Sequence, residues 1–213
     1  MNLKKELPII GIVLLPFVYL AYIWNQLPQE VPLHYNIKGE IDRYGDKSEL
    51  IMIPIMLPLL IYVLLLVVPY IDPKKQIQKM GNKYYSLKLI LTLITSVLAL
   101  FILYSTKGGS LGNPNFIFVI VGVMYLILGN YFKTIKANYF IGIRTPWTLE
   151  SEFIWKETHK LGGKVWFIGG IVAIISSLTL PMETNFKVFM AITVIIALIP
   201  IIYSYMLFKK QKD

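Results

Sequence analysis

Residues 138–164 read NYFIGIRTPWTLESEFIWKETHKLGGK, running from Asn138 to Lys164, and this is the long polar stretch between two apolar runs on which the fold turns. Arg144, Trp147, Trp155 and His159 lie inside it: two of the chain's four tryptophans, one of its two histidines and one of its two arginines. Gly142 ahead of Thr145-Pro146 reads as an irregular turn, with Pro146 suited to the first helical position and Thr145 to the N-cap. From about Leu149 to Leu161 the spacing is helical. Glu152 with Lys156 and Glu157 with Lys160 form favourable pairs, while Ile154, Trp155, Thr158 and Leu161 share another side. The expectation is a short amphipathic helix at the membrane surface, closed by Gly162-Gly163, before a fifth membrane span. An ordinary loop helix whose tryptophans anchor among headgroups is the other reading.

Outward from this stretch the chain is apolar. Its 213 residues are 56% hydrophobic with a mean hydropathy of +0.62, above the usual share for a soluble domain. A helical span needs roughly 20 apolar residues, and six runs qualify: Leu7 to Leu27, Leu50 to Ile71, Tyr85 to Tyr104, Phe116 to Phe132, Val165 to Leu180 and Phe186 to Phe208. The fold class is therefore an all-α polytopic membrane protein with six transmembrane helices, read as a single membrane domain over 1–213. No cleavable signal is expected, because the first run is long enough to span and no small-residue cleavage site follows it. Cysteine is absent, which excludes disulfides and thiolate chemistry.

Charge sets the expected orientation. With both termini on one side, 16 of the 21 Lys and Arg residues share that side and five lie opposite, so both termini are expected in the cytoplasm of a bacterial cell. The net charge of +9 is thus topological, and no direct nucleic-acid partner is expected. Residues 28–49 become an extracellular segment and 133–164 a cytoplasmic loop.

In the outer segment five acids (Glu30, Glu40, Asp42, Asp46, Glu49) exceed three bases. Val31-Pro-Leu-His-Tyr-Asn36 alternates as a strand does, and Asn36-Ile-Lys-Gly39 is a plausible turn, so a small hairpin is expected. His34 near Glu40, Asp42 and Asp46 is a weak start for a metal site; a histidine hydrogen-bonded within the hairpin is the plainer reading. No metal or cofactor is expected. The turn over 107–114 reads as a flexible connection.

Pro54 and Pro58 imply a kinked second span, and Pro16 and Pro200 do the same in the first and last, with the freed carbonyls met by neighbouring helices. The span cores are read as free of ionisable residues, which disfavours an ion-coupled pump. No catalytic template is present, so no enzyme is expected and no catalytic residue is assigned.

The stretch Gly142-Ile-Arg-Thr-Pro-Trp-Thr-Leu-Glu-Ser-Glu-Phe-Ile-Trp155 resembles the SdpI family of bacterial membrane proteins. Leu27-Pro-Gln-Glu-Val-Pro-Leu-His-Tyr-Asn-Ile-Lys-Gly-Glu-Ile-Asp42 is similar to a domain of unknown function often found at the start of such proteins. The resemblance implies immunity against a secreted toxin peptide that collapses the proton gradient, and a receptor role that captures a cytoplasmic winged-helix repressor. It implies a toxin-facing set at His34, Asn36, Gly39 and Asp42. On the inner side it implies an element of Gly142, Arg144, Thr145, Pro146, Trp147, Trp155 and His159. Alternatives from the residues alone are a small-molecule or peptide transporter, and a factor binding anionic lipid headgroups at Arg144.

Overall fold

A computed structural model describes residues 3–108 and 113–212. Six helices among them are long and apolar enough to cross a membrane: Leu3–Gln26, Lys47–Ile71, Asn82–Lys107, Asn115–Phe132, Glu152–Thr179 and Met182–Gln211. The turn expected over 107–114 falls partly on 109–112, outside the described residues. The chain divides into two compact units, Met1–Leu66 with Ser86–Ile117, and Val67–Tyr85 with Phe118–Asp213.

The first unit holds α1 (Leu3–Ile23), the strands β1 (Glu30–Tyr35) and β2 (Ile41–Asp46), and most of the helical runs α2 (Lys47–Ile71) and α3 (Asn82–Lys107). Its core is Leu20, Ile23, Leu27, Val31, Leu50 and Leu103, so Val31 roots the hairpin on the helices. The strands pair antiparallel, Glu30 with Asp46 and Val31 with Gly45, and the register shifts on both sides of His34. At Gly45 the ends of the Leu33 and Glu49 side chains lie over the backbone, and a Cβ there would have to displace them. In the second span, where a kink is expected, the helical pitch changes. A 3-10 turn at Lys47–Ile51 leads into a π turn at Ile55–Leu59 around Pro58, and regular helix resumes at Leu60.

Proline 16 removes the N–H that Ile12 O would have accepted, four residues back. Ser96 on α3 donates its hydroxyl to that carbonyl at 3.0 Å. The second unit repeats the device, because Pro200 frees Ile196 O and Trp166 Nε1 donates to it at 2.8 Å. In both cases a side chain from a neighbouring helix meets the carbonyl, as lipid, which has no donors, requires.

The expectation of ion-free span cores does not hold. Lys88 lies inside the third span, and its Nζ pairs with Glu6 Oε1 at 2.6 Å, both side chains being over nine-tenths buried. Tyr62 O–H donates to the other Glu6 oxygen at 3.1 Å. Each charge is tolerated inside the span because the other is present.

The second unit contains most of α4 (Asn115–Phe132) and all of α5 (Pro146–Glu150), α6 (Glu152–Thr179) and α7 (Met182–Lys212). Tyr125, Ala173, Phe189, Ile192 and Ile196 form its core. Backbones of α4 and α6 meet directly at Gly129 against Gly163 and at Gly122 against Gly170, where a Cβ would crowd backbone atoms of the facing helix. Here the structure corrects the amphipathic helix expected to end at Gly162-Gly163: one helix runs unbroken from Glu152 to Thr179. The glycine pair is buried in helix packing, and within an apolar bundle the backbone has no water to replace helical hydrogen bonds.

Candidate functional site

The connector from α4 to α6 is built around Asn138, which is buried. Its Oδ1 accepts from the N–H groups of Phe140 and Ile141, at 2.8 and 2.7 Å, and its Nδ2 donates to the carbonyls of Lys136 and Ile141. This places Gly142 at φ +115°, a conformation that L side chains rarely adopt, and a Cβ there would run into His159 Nε2 and the Trp155 ring. Asn138 is absent from the residues that sequence reasoning picks out. An Asn four residues ahead of an isolated Gly is the signal that points to it.

Thr145 and Pro146 take the expected places. Thr145 Oγ1 accepts from Thr148 N–H and Pro146 opens α5, while Thr148 Oγ1 accepts from Thr145 N–H at 2.8 Å, completing a reciprocal cap. Trp147 Nε1 donates to Ser204 Oγ at 2.5 Å, and its ring lies against Tyr205 and Phe208 of α7. Ser204 also has no distinctive sequence signal, since only the folded chain brings it to Trp147.

Trp155 and His159 stack one helical turn apart, with centroids at 4.1 Å. Trp155 Nε1 donates to Ile135 O at 2.8 Å. His159 Nε2 accepts from Ile143 N–H at 2.9 Å and Nδ1 faces Trp155 O at 2.8 Å, which fixes the neutral tautomer with the proton on Nδ1. The imidazole is 1% exposed, so both nitrogens are fully engaged in holding the connector onto α6. Arg144 remains exposed and its guanidinium donates to Tyr139 O, while Lys74 sits over the Tyr139 ring at 4.9 Å. All seven expected residues of this element thus lie in one locality. Glu157 and Lys160 approach to 3.7 Å as expected, but Glu152 and Lys156 do not form their expected ion pair.

In the hairpin, Asn36 orders the turn. Its Oδ1 accepts from Lys38 and Glu40 N–H, and Gly39, at φ +83°, donates its N–H to Asn36 O. His34 Nδ1 and Asp42 Oδ1 are 2.6 Å apart across the strands, with both side chains substantially exposed. Asp46 caps the following turn: hydrogen bonds from Ser48, with Gln29 adding another, hold its carboxyl below the ordinary 3.8. Among the described residues no group of three His, Cys, Asp or Glu side chains is placed to hold a metal ion.

These features define a multi-pass membrane protein with six apolar helices, a hairpin after the first and a proline-capped connector before the fifth. Residues 134–204 match the SdpI/YfhL protein family, and residues 11–57 match a domain of unknown function (DUF1648). It is 27% identical over 209 residues to "Immunity protein SdpI" of Bacillus subtilis (strain 168), covering 98% of each chain. An uncharacterized protein of Archaeoglobus fulgidus is 41% identical over 49 residues, 23% of this chain and 26% of that one. No solved structure matches the chain.

Proposed function

We propose that this protein confers immunity, protecting the bacterial cell whose membrane carries it from a secreted, membrane-active toxin peptide. The observation that carries the reading is the end-to-end likeness to a protein named for immunity, which spans the hairpin and the connector alike. Both termini lie in the cytoplasm in this reading, following the distribution of Lys and Arg. Residues 28–49 then face the toxin, and 133–151 face the cytoplasm.

The division of labour follows from where side chains point. The hairpin presents His34, Asp42 and the Asn36–Gly39 turn at the surface, so it is the recognition element. Thr145, Trp147, Trp155 and His159 turn their polar atoms inward, so they brace the bundle. Capture of a cytoplasmic transcriptional repressor falls to the exposed side of the connector and the first turn of α6, where Tyr139 is 41% and Phe153 55% exposed. A ligand moves a protein between states only by binding one better. The pitch change around Pro58 is the hinge through which the hairpin end of α2 would respond.

The test is survival of a toxin-sensitive bacterial strain exposed to the peptide, with and without this chain at a verified membrane level. Protection supports the reading; survival equal to that of cells lacking the chain refutes it for that toxin.

A further inference from the structure

We propose that the lysine-lined cleft between the end of α4 and the first half of α6 binds one anionic phospholipid, phosphate among the lysines and an acyl chain along the apolar end. Two cavities that share Lys133 and Lys160 form it. The more polar one, about 620 Å³, is lined by Lys133, Lys136, Lys156 and Lys160 beside Trp155 and His159, with Glu152 as its one acid. The other, about 440 Å³, adds Lys164 and then becomes apolar, with Gly129, Gly163, Phe167 and Ile168 in its wall.

Lys156, Lys160 and Lys164 recur every fourth residue of α6, a stripe about 12 Å long. Phe167 and Ile168 continue the same side into the apolar run. Lys133 and Lys136 come from the chain just beyond Phe132, where α4 ends. Among the described residues, Lys133, Lys136, Lys156 and Lys164 have no carboxylate at ion-pair distance, and Lys160 has only Glu157 at 3.7 Å. Five lysines therefore converge on one cleft against two acids, Glu152 in its wall and Glu157 beside Lys160, and the net positive charge calls for an anion.

The order of chemistry along the cleft selects which anion. Charge sits where the spans meet water, the depth of lipid phosphates, and the apolar wall begins where α6 turns hydrophobic. A free phosphate would leave Phe167 and Ile168 uncovered, and an acidic peptide would carry charge into the apolar end. A phospholipid matches both ends. Arg144 contributes nothing to this site, since its guanidinium is engaged with Tyr139 O. The bound lipid would lie against the Trp155–His159 stack and hold the connector on α6. The inference does not depend on what the hairpin recognises.

The experiment is native mass spectrometry of the full chain released from detergent, with short-chain phosphatidylglycerol and phosphatidylcholine as probes. The parent should retain phosphatidylglycerol with about tenfold preference, and Lys133→Gln with Lys160→Gln should weaken it roughly 30-fold, about fivefold for each lysine. Ile168→Trp, which fills the apolar end, should also reduce retention, whereas Lys187→Gln should leave it unchanged. Circular dichroism on each variant verifies that helix content is kept. Glycerol phosphate in large excess should not displace the lipid. Equal retention of the two lipids, undiminished binding by the well-folded double variant, or displacement by glycerol phosphate or by a polyglutamate peptide would overturn the proposal.

Discussion

Replacing Lys88 by methionine keeps most of the side chain's volume and removes its charge, leaving the Glu6 carboxylate buried beside Tyr62 alone. Breaking one partner of a buried pair costs about 3–5 kcal/mol, because the remaining charge is left in a low dielectric. Both side chains qualify, with 6% of Lys88 and 9% of Glu6 exposed. At about 2–4 °C per kcal/mol for a chain of this size, the melting temperature should fall by roughly 6–20 °C. Intrinsic tryptophan fluorescence on the detergent-solubilised chain reads the transition, since Trp24, Trp147, Trp155 and Trp166 occupy packed positions. Glu6→Gln combined with Lys88→Met removes both charges while a glutamine still accepts the Tyr62 hydroxyl. The double variant should therefore recover most of the loss. If Lys88→Met melts within about 2 °C of the parent, or the double variant is as unstable as the single, the pair is not the staple described here.

Other outcomes follow from local geometry. Gly142→Ala puts a Cβ at φ +115° against His159 and Trp155 and should cost at least about 1–3 kcal/mol in thermal unfolding. A variant as stable as the parent would contradict the packing. Ser96→Ala and Trp166→Phe each orphan a proline-freed carbonyl and should cost about 0.6–1.7 kcal/mol. The same substitutions made on Pro16→Ala and Pro200→Ala backgrounds should cost much less, because Ile12 O and Ile196 O regain helical partners; a double-mutant cycle with no coupling refutes this. Asp46 titrates below its unfolded value, so its capping contribution is full above the ordinary 3.8 and is lost as pH falls through the depressed value. Amide exchange of Ser48 should accelerate over that acid range in the parent and show no such step in Asp46→Asn.

What the sequence discloses depends on how far a cause reaches along the chain. Six spans, the Thr145–Pro146 helix start, the hairpin and its Asn36 turn each rest on neighbours a few residues apart, and the folded chain shows them where local chemistry predicts. Proline carbonyls are legible as a need; their donors Ser96 and Trp166 are not, because the partner lies on another helix. Lys88 resembles a loop lysine until Glu6, 82 positions away, is brought beside it. Gly162-Gly163 misleads for a related reason. In water such a pair ends a helix, whereas here it gives two helices room to touch and the helix continues. The inner motif is conspicuous in sequence because its aromatic and polar groups are costly to place, yet sequence alone does not reveal that most of them point inward.

The most direct test of the account compares survival under toxin for cells carrying no copy, the parent chain, or the His34→Ala and Asp42→Ala double variant, at matched membrane levels. The expected result is protection by the parent and loss of protection by the hairpin variant with the protein still inserted and folded. Full protection by that variant would contradict the assignment of recognition to the hairpin, and absence of protection by the parent would contradict immunity to that peptide.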